Sequence, residues 1–180
     1  MTLYIALLRA VNVGGHGKIG MAALRSLLAD LGFGNPPSLL QTGNLIFDST
    51  ERTRAELERL LADATAERLG LHTNVMVRTR NELARAVARN PFPDEASRDP
   101  GHLVLMFLKR APEADAVLAL RAAITGREQL HADGDHLYVT YPDGIGRSRL
   151  TSGLIESKLG TRGTSRNWNT VLKLAAQTQS

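Results

Sequence analysis

The sequence predicts an α+β protein of two small units, each a mainly antiparallel sheet with helices packed on one face. Three observations lead there. Short apolar runs that read as strands alternate with segments whose leucines recur at helical spacing. Cap and turn residues separate these segments. A proline-rich stretch, Asn90-Pro91-Phe92-Pro93, continued by polar residues to Pro100, divides the chain into halves of similar element order. The division expected is 1–92 and 93–180, and 180 residues suffice for one large domain or two small ones.

Leu3–Leu8 is a short apolar strand followed by a glycine-rich loop. Met21, Leu24, Leu27, Leu28 and Leu31 keep helical spacing until Gly32 stops the helix. Leu39–Gln41 and Leu45–Phe47 read as strands joined at Thr42-Gly43-Asn44. Thr53 and Glu56 have capping-box spacing, ahead of a helix carrying Leu57, Leu60, Leu61 and Ala64. Asn74–Arg78 is a fourth strand, and Thr79 with Glu82 caps a helix ending at Asn90-Pro91. The second half opens on a strand, His102–Lys109, and a helix from near Pro112 to Gly126. A hairpin of Glu128–His131 and His136–Tyr141 turns at Asp133-Gly134. A loop through Gly144-Ile145-Gly146 leads to a helix around Leu150–Leu159, and a terminal helix over Thr164–Ala175 ends the order. The halves thus read βαββαβ, then βαββα plus a helix.

Composition excludes several function classes. The chain has no cysteine, which rules out disulfides, thiolate nucleophiles and cysteine-ligated zinc and fits a reducing, cytoplasmic setting. The apolar N-terminus is broken at Arg9 and lacks a signal peptide's basic start and small-residue cleavage site. No apolar run approaches the roughly 20 residues needed to cross a bilayer, so no membrane role is expected. The net charge is +4. From Gly144 onward, Arg147, Arg149, Lys158, Arg162, Arg166 and Lys173 face one acid, Glu156, so the positive charge is focused there.

Gly15-His16-Gly17-Lys18-Ile19-Gly20 spells G-x-G-x-x-G after a strand. A dinucleotide site also wants an acid at the end of the next strand, where this chain has Gln41-Thr42. Nor is it a P-loop, since Asn12 and Ile19 stand at required positions. Two readings remain: backbone N–H groups that hold an anion with help from Lys18, or a tight turn needing positive φ. Arg9 and Asn12 interrupt an apolar strand end, so Arg9 either pairs with an acid or faces a pocket. Thr42-Gly43-Asn44 is either a bare turn or part of the same site.

On the terminal helix, Trp168, Val171, Leu172 and Ala175 share one side, while Arg166, Asn169, Thr170 and Lys173 line the other. Asn and Thr are weak helix formers, so that donor-rich stripe is built to hold an anion or a neighbouring loop. His131, Asp133, Asp135 and His136 sit at a hairpin tip that turn geometry explains, and no metal or cofactor is expected. Ser148, Ser152 and Ser157 lack a recognisable triad motif. With 4% aromatic residues, base stacking is no large part of any mechanism.

Several segments together resemble one family, bacterial proteins grouped as domain of unknown function 1697. They are Tyr4–Gly15 with Met21 and Leu24, Gln41–Phe47, Asn90-Pro91-Phe92, Tyr141–Gly146 and Thr164–Val171. Ala10, Thr42 and Arg149 stand where the family usually has Gly, Ser and Lys. The resemblance implies two ferredoxin-like units and supplies no reaction. It favours a shared site built from the Arg9–Lys18 loop, Thr42–Asn44 and the terminal helix.

The expected function is binding of a phosphorylated or anionic ligand, nucleic acid or nucleotide-like. The residues expected to bind it are Arg9, Asn12, Gly14, Gly15, Lys18, Thr42, Gly43, Asn44, Arg166, Asn167, Asn169, Thr170 and Lys173. Two alternatives stand beside it. One is an enzyme acting on a small anionic metabolite between the units, with Asp143 the one Asp, Glu or His inside the signature segments. The other is a polar network that locks structure and binds nothing.

Overall fold

The structure, a computed structural model, describes residues 1–9, 21–33 and 43–179. Among these residues the fold is α+β, with two antiparallel sheets and seven α-helices. Contacts divide the chain into Met1–Ala84 with the end from Ala176, and Arg85–Ala175.

The first unit holds β1 (Thr2–Leu8), α1 (Met21–Asp30), β2 (Asn44–Ser49), α2 (Arg54–Leu69) and β3 (Val75–Thr79), in sheet order β2-β1-β3. Tyr4, Ala6 and Leu8 of β1 alternate onto one face and meet Leu24 and Leu28 of α1, Leu57 and Leu61 of α2, and Val75 and Val77 of β3. Ile5, Leu7, Ile46 and Met76 point the other way and are also buried. Burial on both faces explains why these strands read as continuous apolar runs. Leu39–Gln41, expected as a strand, lies outside the described residues.

Both predicted capping boxes form. The Thr53 N–H donates to Glu56 Oε2 at 2.7 Å, and the Glu56 N–H donates to Thr53 Oγ1 at 3.2 Å. Thr79 and Glu82 make the same pair at 2.8 and 3.1 Å, starting α3 (Arg80–Ala88). Among the described strands β3 is an edge. Its Val77 N–H donates to Glu58 Oε1 of α2 at 3.0 Å, and the fully buried Arg78 holds Nη1 3.9 Å from that oxygen. A carboxylate thus occupies a strand-edge donor that could otherwise recruit another strand.

The second unit contains α4 (Pro93–Arg98), β4 (Leu103–Leu108), α5 (Ala114–Ala122), β5 (Gln129–Asp133), β6 (His136–Thr140), α6 (Ser152–Leu159) and β7 (Gly163–Asn167). The chain then enters α7 (Trp168–Gln179). Sheet order is β5-β6-β4-β7. Every residue of β4 is buried. Val104, Met106 and Leu108 pack against Val117 and Leu120 of α5 and Ile155 and Leu159 of α6.

Three details correct the sequence reading. The hairpin register pairs Asp133 with His136, so the two-residue turn is Gly134-Asp135, with Gly134 at φ 60°. Residues 163–167 are not helical but form β7, antiparallel to β4. Gly163 permits that pairing, because a Cβ there would meet Met106 Cε at 2.7 Å and the Phe107 carbonyl at 3.0 Å. On α7, Leu172 is 43% exposed, and the fully buried Leu174 joins Trp168, Val171 and Ala175 instead.

Candidate functional site

At one end of the first unit's sheet, β1 runs out into Arg9. The Arg9 N–H donates to the Asn74 carbonyl at 3.0 Å, and the Thr73 hydroxyl donates to the Arg9 carbonyl. The Leu8 N–H donates to the Gly43 carbonyl at 2.9 Å, and Gly43 has φ 76°, a conformation that favours glycine. Asn44 follows, opposite Leu7 in register and fully buried. The structure therefore brings Arg9, Gly43 and Asn44 to the same sheet end, where Thr73 and Asn74 enter β3. Asn12, Gly14, Gly15, Lys18 and Thr42 lie outside the described residues, as does the G-x-G-x-x-G segment.

In the second unit Arg166 sits on β7, opposite Leu105, and not on a helix. Its Nη1 donates to Thr164 Oγ1 at 2.7 Å and to the Ser165 carbonyl at 2.8 Å. Burial disfavours the charged guanidinium and pulls its pKa down to about 10, so it is still protonated at neutral pH. Asn167 is the junction residue. Its Oδ1 accepts the Thr170 N–H at 3.0 Å and so caps α7. Asn169 and Lys173 are exposed and Thr170 is half-buried. Trp168 is buried, its ring 6.5 Å from that of Tyr138. The stripe expected along one helix face, Arg166, Asn169, Thr170 and Lys173, is therefore one strand residue and three helix positions, two exposed and one half-buried. Thr73 escaped the sequence reading and Thr164 was read only as the start of the terminal helix, because their hydroxyls serve residues that are neighbours only by strand pairing or alternation.

Asp143, the acid inside a signature segment, accepts from Arg127 Nε at 3.1 Å and from Nη2. Those bonds hold its carboxyl below the usual range, so at neutral pH it is a paired carboxylate, not a group poised to exchange protons. On the β5–β6 hairpin, register and alternation put His131, Asp133 and His136 on one face, but Arg89 takes the Asp133 carboxylate at 2.8 Å. Among the described residues no group of three or more His, Cys, Asp or Glu could hold a metal ion. Among the same residues no helix is long and apolar enough to cross a membrane.

Residues 1–138 match the family described as Protein of unknown function (DUF1697). The chain belongs to this family. A solved structure, that of the conserved bacterial protein SP0830 from Streptococcus pneumoniae, is similar over 98% of each chain, with a TM-score of 0.75 and 22% identity. At that identity the likeness shows the fold alone. No curated protein matches the chain.

Proposed function

We propose that this protein binds a phosphorylated or otherwise anionic ligand, a nucleic acid or nucleotide-like molecule, through its basic and amide-bearing signature segments. The observation that carries the reading is Arg166. Its pKa is lowered by burial, and its Nη1 donates to the Thr164 hydroxyl and the Ser165 carbonyl, which fix the guanidinium on β7 partly out of water. A guanidinium held in such surroundings gains more from an approaching anion than one in water does. Asn169 and Lys173 are exposed on the helix that begins two residues later, and six of the chain's cations fall within 144–180. We read each unit as ferredoxin-like, which the βαββαβ order and antiparallel sheet of the second unit support.

The structural reading has its own support. The Asn167 amide already caps α7, and that role requires no ligand.

Trp168, the single tryptophan, reports directly. Its fluorescence is followed while a short mixed-sequence oligonucleotide is added at about 50 mM and about 200 mM salt. A saturable change that weakens steeply at the higher salt is expected. Arg166→Gln should weaken binding about tenfold or more, the worth of a charged hydrogen bond, whereas Arg52→Gln should not. Equal losses at both positions mean diffuse charge and defeat the proposal of a defined site.

A further inference from the structure

A cleft of about 550 Å³ opens in the second unit, within the range typical of small-molecule sites. We propose that it binds a small zwitterion with an apolar group, a free α-amino acid of that kind. Three features of the lining specify the three parts of such a ligand.

Phe92, Ile124 and Leu130 supply the apolar wall. The signature segment Asn90-Pro91-Phe92 positions the first of these. Asn90 Oδ1 accepts the Phe92 N–H at 3.0 Å, and Asn90 Nδ2 donates to the Phe92 carbonyl at 3.2 Å. One side chain thus clamps the peptide on both sides and fixes where the aromatic ring starts.

Arg121 supplies the cation. Its Nη2 donates to the Leu130 carbonyl at 3.2 Å, which ties the guanidinium to the lining of the cleft. A guanidinium carries five donors in a fork that matches a carboxylate, so this bond leaves capacity for one.

Glu128 supplies the acceptor. The Ser148 hydroxyl donates to Oε1 at 2.5 Å, while Oε2 is buried without a hydrogen-bond partner among the described residues. A buried carboxylate oxygen lacking a donor is costly, and an ammonium N–H in the cleft would remove the cost by drawing the side chain round to meet it. Gly126 makes room for this arrangement, because a Cβ there would lie 2.5 Å from Oε2.

The test is titration calorimetry near pH 7 with L-phenylalanine, phenethylamine, which lacks the carboxylate, and 3-phenylpropionate, which lacks the amine. L-phenylalanine is expected to bind at least tenfold more tightly than either analogue. Glu128→Gln should weaken L-phenylalanine and phenethylamine about tenfold and leave 3-phenylpropionate unchanged. Arg121→Met should do the converse. Gly126→Ala, which displaces the carboxylate without removing it, is expected to behave as Glu128→Gln and serves if that variant fails to fold. No detectable binding of all three compounds overturns the proposal, as does equal binding of all three or indifference to the variants. Binding here is independent of the basic segments, so either proposal can fail alone.

Discussion

Arg78 reads in the sequence as the polar end of a strand, yet its side chain has no exposure at all. Among its partners are the Val77 carbonyl, which accepts from Nη1 at 2.9 Å, and Glu58, which lies 3.9 Å from the guanidinium and also takes the Val77 N–H. Removing one member of a buried pair leaves the other charge less well compensated, at a cost of up to about 3–5 kcal/mol. Glu58→Ala should therefore lower the urea midpoint markedly. Glu58→Gln keeps an acceptor for Val77 and should cost less; equal losses would show that the backbone bond contributes nothing. Nothing at position 58 signals this duty, since a glutamate on a helix ordinarily faces water. Glu56, two residues earlier, was legible, because capping-box spacing is local. Its carboxyl is lowered first by the Thr53 backbone hydrogen bond, and that of Asp143 by its hydrogen bond from Arg127. Groups depressed on folding stabilise the native state above their unfolded pKa values and lose that contribution as pH falls through the folded ones. Urea midpoints measured from pH 7 down to pH 3 should fall across the carboxylate range. The acid-side slope should be shallower in Glu56→Gln.

At the scale of elements, the boxes at Thr53 and Thr79, the left-handed glycine Gly32 just past α1, and the all-apolar β4 follow from local pattern. β7 does not. Thr164-Ser165-Arg166-Asn167 has no apolar alternation, and Asn and Thr next to a tryptophan-bearing helix pass for weak helical residues. They are weak helix formers for a reason that becomes clear only with β4 alongside: one caps the helix and the others pair as an edge strand. Gly163 tests the pairing. Gly163→Ala would force a methyl against Met106, Leu108 and the Phe107 carbonyl. Overpacking of that kind costs about 1–3 kcal/mol. Thermal unfolding should show a lowered Tm for this variant, whereas Gly146→Ala, with nothing within 4 Å of the added methyl, should leave it nearly unchanged. Equal melting would mean that β7 does not press on β4.

For the whole molecule, the family match ends at residue 138, inside β6, while the likeness to the Streptococcus pneumoniae protein covers 98% of the chain. The second sheet needs what lies beyond the match. Truncation after Gly160 deletes β7 and α7 and turns the fully buried β4 into an edge. An exposed apolar edge pairs with other chains. The truncated chain should aggregate or lose cooperative unfolding by circular dichroism, and a soluble, cooperatively folding product would refute the claim that β7 completes the sheet. The sequence by itself determined the α+β class, most element positions, three of the helix caps or stops, and three segments, Tyr4–Gly15, Gln41–Phe47 and Asn90-Pro91-Phe92, that fall within the family match. All of these follow from interactions within a few residues of the chain and from the strand and helix periods. Tertiary structure alone decided that Arg78 and Asn44 are buried, that Arg166 lies on a strand, and that Phe92, Arg121 and Glu128 line one cleft. Each of those depends on pairing or packing between residues distant in sequence, whose register no local pattern encodes.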